Sequence, residues 1–370
     1  MYKRCYKKCC KKQLQEITAV NCYGKLTQKT AATGNYSGNK KQLLLEIATK
    51  NIRETIIREG TRYSVNVLDN VLAAVGRTPM VRLNRVKDDC GAEILAKLEM
   101  FNPSGSSKAR AALGMVLAAE KAGLIGPGSV IVEATSGNQG IALAMVGAVK
   151  GYKIIVVMPE TMSVERRKLI QAYGADLVLT PRAEDVEGAV KRAKEIVQKT
   201  PNAWTPDQFS NPVNPAFHEQ TTAREILEQA GDSIQALVIG VGTGGTLTGV
   251  ARVLRKACPG IEVYAVEPEN SAVIAGKPPG EHMLQGIGDG FVPDNLDKEL
   301  LTATIPVSDE DALKMTRRLA SQEGLLVGVS SGATVVAAVR AGKKLGPGKK
   351  VVTILPDTGE RYLSTPIFDF

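Results

Sequence analysis

From Val65 onwards, short β-branched runs and longer helical patterns take turns along this 370-residue chain, and that alternation leaves few folds open. Residues 130–134, 153–158, 176–179, 236–241, 262–266 and 350–355 are apolar runs of strand length with no polar alternation. Such runs read as strands buried on both faces. Helical spacing fills the intervals at 109–122, 141–149, 164–172, 186–198, 216–229, 248–256, 309–321 and 333–344. The pattern predicts parallel sheets with helices on both sides, and the chain is long enough for two such α/β domains. The Pro/Asn-rich stretch 211–215 is the expected join, dividing an N-terminal domain at 65–212 from a C-terminal one at 213–370.

Charge separates off a further piece. The net charge of +9 suggests a nucleic-acid partner until its distribution is read. Residues 1–62 hold 14 Lys and Arg against 4 Asp and Glu, leaving 33 against 34 for the rest. The foldable part is therefore neutral, and nucleic acid is not an expected partner. Residues 1–64 form a basic extension, expected to be disordered apart from one short helix at 43–57. Arg4 is its only arginine before Arg53, which argues against organelle import. No apolar run approaches the ~20 residues of a membrane helix, so a soluble, cytoplasmic protein is expected, with no membrane partner.

Four of the six cysteines lie in the extension, leaving Cys90 and Cys258 far apart, as free thiols in a reducing compartment would be. His218 and His282 are the only histidines, too few for a His-centred triad or a multi-His zinc site. No metal is expected.

Four stretches carry chemistry. In the first, residues 102–108, a turn-rich loop runs into a helix, with Ser106 or Ser107 as its cap and Lys108 in its first turn. The helix dipole and partial burial both disfavour an ammonium there, easing deprotonation to a Schiff-base nucleophile. Second, Thr135-Ser136-Gly137-Asn138-Gln139-Gly140 forms a strand-to-helix turn whose N–H groups, hydroxyls and amides suit a carboxylate. Third, Gly240-Val241-Gly242-Thr243-Gly244-Gly245 matches G-x-G-x-x-G after a strand, with Glu267 at the end of the next strand. That is a dinucleotide fingerprint, but Gly242 to Thr246 equally reads as a cradle for one phosphate. Fourth, Val329-Ser330-Ser331-Gly332-Ala333 opens another helix, with a hydroxyl that can cap it or bond a ligand heteroatom.

Together these stretches resemble the cysteine synthase/cystathionine β-synthase family of fold-type II pyridoxal-phosphate (PLP) enzymes. The resemblance runs from about Val71 to Thr365. It includes Val75-Gly76-Arg77-Thr78-Pro79, Gln208-Phe209-Ser210-Asn211-Pro212 and Gly359-Glu360-Arg361-Tyr362-Leu363-Ser364-Thr365. It implies a tryptophan synthase β-like fold of two three-layer α/β domains with the cofactor in the cleft between them. Lys108 would then carry PLP and Asn138 would bond its 3′ oxygen. Gly242, Thr243, Gly244, Gly245 and Thr246 would hold its phosphate, and Ser330 its pyridine nitrogen. Thr135, Ser136, Asn138, Gln139 and Gln208 would receive the substrate carboxylate. A dinucleotide reading leaves Lys108 and the Ser330 loop without a role.

The implied activity is β-replacement, with O-acetyl-L-serine and sulfide giving L-cysteine and acetate. The alternative is release of sulfide from L-cysteine, ending in serine or in a cystathionine- or lanthionine-like product. A homodimer is implied, as is a possible partner in the C-terminal tail of serine acetyltransferase. Three residues depart from the family's usual pattern: Ala109, Gln139 and Asp289. Asp289 stands where a small residue is common and is a further catalytic candidate, as a base for the incoming nucleophile. Deleting residues 1–60 is expected to leave fold and turnover nearly intact. A truncated protein that aggregates or loses PLP would show that the extension packs onto the catalytic unit.

Overall fold

The computed structural model describes residues 67–368; the extension at 1–64 and the helix expected at 43–57 lie outside the described residues. Ten strands build two sheets. In chain order they are β1 (Met80–Leu83), β2 (Glu93–Leu98), β3 (Val130–Ala134), β4 (Lys153–Pro159), β5 (Asp176–Thr180), β6 (Ala203–Trp204), β7 (Ala236–Gly240), β8 (Glu262–Pro268), β9 (Ala303–Val307) and β10 (Lys350–Leu355). One sheet runs β5-β4-β3-β6, all parallel. The other runs β1-β2-β10-β7-β8-β9. It is parallel except where β1 pairs antiparallel with β2.

The helices are α1 (Lys108–Lys121), α2 (Asn138–Lys150), α3 (Val164–Ala172), α4 (Asp185–Lys199), α5 (Val213–Gln220), α6 (Thr222–Ala230), α7 (Gly245–Ala257), α8 (Asp309–Arg318) and α9 (Val329–Leu345). Each sheet is buried on both faces, because successive strand side chains point to opposite sides. Ala236 and Val238 face α8 and α9, while Leu237 and Ile239 face α6 and α7. In the smaller sheet, Ile131 packs toward α1 and α2, and Val132 toward Ala189 and Ala193 of α4. The four apolar clusters are thus the two faces of two sheets, and the fold is the three-layer α/β arrangement. No helix among the described residues is long and apolar enough to cross a membrane.

Several expectations need correction. Sheet membership does not follow a cut at residue 212: β1 and β2 belong to the larger sheet, beside β10. Residues 211–215 are not a slack join, since Val213 to Pro215 form the first turn of α5, where proline gives up no helical hydrogen bond. The helix expected at 216–229 is two, broken at Thr221, and the one at 309–321 gives way to a π turn at Leu319–Glu323. The short or partly exposed strands β1, β6 and β9, and the buried β2 whose apolar run is interrupted by Lys97, lie outside the strands expected from the sequence.

The beginning of α1 is fixed by a buried ionic cluster. Arg110 is fully buried; its Nε and Nη2 each lie 2.8 Å from a Glu99 carboxylate oxygen, and its Nη1 lies 2.6 Å from Glu225 Oε1. Lys97, also fully buried, meets Glu225 Oε2 at 2.7 Å and the Thr78 carbonyl at 2.6 Å. Thr78 Oγ1 donates to Glu99, and Arg77 N donates to Glu225. Gly76 is required here, since a Cβ would lie 2.8 Å from Arg110 Nη1 and its φ is +89°. Burial alone would raise the Glu225 carboxyl, but the Arg110 and Lys97 cations hold it down at about 2.

Removing one member leaves a buried charge unpaired. Arg110→Ala is therefore expected to lower unfolding stability by about 3–5 kcal/mol, read by urea denaturation. A loss under about 1 kcal/mol would show that the cluster relaxes without cost.

Candidate active site

Parallel strands place their following loops at one edge, and these loops build the site. Two of the four predicted stretches follow strands directly, and a segment that was not predicted joins them at the same edge. Residues 135–137 leave β3 for α2, residues 241–244 leave β7 for α7, and residues 356–358 leave β10. The segment after β2 leads into α1, with Lys108 as its first residue. Neither Ser106 nor Ser107 caps this helix: Ser107 makes no capping bond, and the buried Ser106 hydroxyl has no partner among the described residues.

The predicted residues converge. Lys108, Gly242, Thr243, Gly244, Thr246 and Ser330 line one cavity. Lys108 also lines an adjoining cavity with Thr135, Ser136, Asn138, Gln139, Gln208 and Asp289. Gly245 stands behind the first cavity, pressed against Asn214; a Cβ there would lie 2.1 Å from Asn214 Oδ1. Gly242 likewise has no room for a side chain, since its Cβ would meet the Gly286 carbonyl at 2.4 Å. Gly244 takes φ +78° as the N-cap of α7. The loop thus turns bare backbone and two hydroxyls toward the positive end of a helix, an arrangement that fits a phosphate.

The second cavity offers unpaired polar groups. Both amide atoms of Gln139 and the Gln208 Oε1 are buried without hydrogen-bond partners among the described residues. Gln139 is the second residue of α2, so its amide stands beside that helix's free N–H groups. A carboxylate would satisfy this end of the cavity.

Lys108 faces both cavities. Burial pushes its ammonium down from the usual lysine range, against the opposing pull of the Asp289 and Asp357 charges. Asp289 sits between Gly288 (φ +73°) and Gly290 (φ +81°), and burial raises its carboxyl although Lys108 and His282 pull it down. Lys97 is the more enclosed of the two but is committed to Glu225 and a carbonyl, whereas the half-buried Lys108 has no ion-pair partner among the described residues.

Several supporting residues gave no signal in the sequence. Asn214 donates to the Gln208 carbonyl at 2.9 Å and to Thr243 Oγ1 at 3.1 Å, tying the two cavities together. Glu133 accepts from Gln208 N and Thr205 Oγ1, and burial raises its carboxyl to about 8. His218 bridges Thr222 Oγ1 at 2.8 Å and Thr246 Oγ1 at 3.1 Å. Burial and the nearby Arg110 charge push its imidazole down to about 3, so it is neutral at physiological pH. Only their contacts in three dimensions reveal these roles.

Comparison with known proteins finds relatives over most of the chain. The family model for pyridoxal-phosphate dependent enzymes matches residues 71–357. A cysteine synthase of Staphylococcus aureus is 53% identical over 304 residues, covering 82% of this chain and 98% of that protein. The crystal structure of a cysteine synthase from Entamoeba histolytica superposes with a TM-score of 0.81 at 41% identity, covering 84% of this chain and 93% of its own. A hydrogen sulfide-producing enzyme from Fusobacterium nucleatum gives 0.78 at 40% identity, covering 80% and 100%.

The His218 imidazole sets a stability slope. The unfolded chain, with a value near 6.5, binds a proton that the folded state refuses down to about 3, so stability falls as pH drops through that window. Between pH 6 and 5 the unmodified protein should lose about 1 kcal/mol more than His218→Gln, by urea denaturation. Glu133 contributes a slope of opposite sign to both proteins and cancels in the difference. Equal losses would mean that His218 is protonated in the fold.

Proposed function

This chain belongs to the pyridoxal-phosphate dependent enzyme family, and on that premise we propose that it is a cysteine synthase, converting O-acetyl-L-serine and sulfide to L-cysteine and acetate. The observation that carries the reading is the half-buried, unpaired Lys108 at the junction of two cavities, one suited to a phosphate and one to a carboxylate.

In this reading Lys108 holds the cofactor, whose phosphate lies in the Gly242–Thr246 cradle. Bound there, PLP supplies an electron sink for charge developing at the substrate α-carbon. Ser330 offers the ring nitrogen a neutral hydroxyl, which does not keep it protonated as a carboxylate would. Asn138 bonds the ring oxygen. Thr135, Ser136, Gln139 and Gln208 hold the substrate carboxylate and so fix which α-hydrogen faces Lys108. Burial lowers the basicity of Lys108, which favours the free amine able to take the α-proton at Nζ. The enzyme works in the cytoplasm as a homodimer, a state that sedimentation of the holoenzyme tests.

Asp289 favours a second reaction beside the first. It lines the cavity of Lys108, and burial raises its proton affinity, as a general base requires. Sulfide is largely anionic at neutral pH and gains little from a base; water or a thiol gains more. General-base help is worth roughly 10²–10⁴-fold. Release of sulfide from L-cysteine, completed by water or a second thiol, is the alternative activity.

Three outcomes are expected. Lys108→Ala abolishes the visible absorbance of the holoenzyme; an unchanged spectrum would mean another lysine carries PLP. On a panel of O-acetylserine, O-phosphoserine, serine and cysteine, O-acetylserine with sulfide turns over fastest. Asp289→Asn suppresses sulfide release from cysteine by at least about tenfold while sparing synthesis. If both reactions fall equally or neither changes, Asp289 is only a turn residue.

A further inference from the structure

Asn138, the first residue of α2, has its side-chain amide held from both sides. Its Nδ2 donates to Asp357 Oδ2 at 2.7 Å, and its Oδ1 accepts from Arg361 Nη1. A carboxylate can only accept and a guanidinium can only donate, so this amide has one orientation and cannot flip. The second hydrogen on Nδ2 is not used by Asp357, and Asn138 lines the Lys108 cavity. Pro356, rather than Asp357, forms the wall there, so Asp357 acts from behind.

Both holding groups are themselves fixed. The buried Tyr362 hydroxyl donates to the same Asp357 Oδ2 at 2.6 Å, and the Asp357 backbone bridges to Ser106. Its carbonyl accepts from Gly328 N at 3.2 Å. Gly328 also makes room for the carboxylate, since a Cβ would lie 2.1 Å from Asp357 Oδ1. Arg361 donates through Nη2 to the Ser104 carbonyl at 2.8 Å, and its own carbonyl accepts from Ser163 Oγ at 2.8 Å. The clamp therefore joins the turn before Lys108, the helix after β3 and the segment after β10.

We propose that Asp357 and Arg361 are positioning residues that hold the Asn138 amide so that an N–H, and never its oxygen, faces an acceptor on the cofactor ring. This rests on the reading of Asn138 as a cofactor contact. An unclamped amide could present its oxygen instead and repel the ring oxygen.

The test is a double-mutant cycle on Asn138→Ala, Asp357→Ala and the double variant, reading the PLP dissociation constant by equilibrium dialysis and the visible absorption maximum. Each single change should weaken binding about tenfold and move the band in the same direction. The double variant should be within about twofold of either single one, because Asp357 acts through Asn138. Asp357→Asn, whose amide oxygen can still accept from Asn138 and Tyr362, should stay within about threefold of the unmodified protein. Asp357→Leu replaces the alanine variant if the cavity prevents folding. Additive losses in the double variant overturn the proposal, as does an unaltered Asp357→Ala beside an altered Asn138→Ala. A tenfold loss in Asp357→Asn also overturns it, by making charge rather than orientation the cause. An unaltered Asn138→Ala instead removes the reading of Asn138 as a cofactor contact, a separate result.

Discussion

The buried guanidinium of Arg110 is the constraint on which the site depends. It lies two residues after Lys108 on α1, so whatever holds Arg110 holds the reactive lysine. Glu99 at the end of β2 and Glu225 on α6 grip it from two directions, and Lys97 and Thr78 complete the set. Two carboxylates and two cations balance to zero, which makes the burial of four charged groups tolerable. Gly76, Arg77 and Thr78 owe their place to the same cluster, as the segment that closes over it.

With α1 anchored, the electrostatics of Lys108 follow from what is left out. Burial lowers the basicity of both lysines, but Lys97 has its Glu225 partner in contact, whereas Lys108 has only the more distant fields of Asp289 and Asp357. The loops opposite are tied by neutral groups: Asn214 between Gln208 and Thr243, and the uncharged His218 behind Thr246. Neutral supports keep the positive end of α7 and the amides of α2 available to anions, where a protonated His218 or a further carboxylate would compete.

The fold was legible where the chemistry of burial is one-dimensional. Strands such as β3, β7 and β10 are apolar on both faces, and they appear in the sequence as unbroken runs. The strands β1, β6 and β9 lie at sheet edges, short or half exposed, and nothing local distinguishes them from loop. The division at residue 212 misled because β2 pairs with β10, more than 250 residues away along the chain, and no local pattern carries such a pairing. At the site, the residues that line the two cavities were legible because strand-to-helix turns rich in Gly, Ser and Thr advertise themselves. The residues that hold them were not: Arg110, Asn214, Glu133 and Asp357 look like ordinary surface polar residues until the strand edges bring their partners together.

The central claim is that Lys108, and not the more deeply buried Lys97, carries the cofactor. Borohydride reduction of the holoenzyme followed by peptide mass spectrometry tests it directly, because reduction makes the link between lysine and PLP permanent. The account predicts a pyridoxyl label on the peptide containing Lys108 and none on that containing Lys97. A label on Lys97, or on any other lysine with Lys108 unmodified, would contradict it.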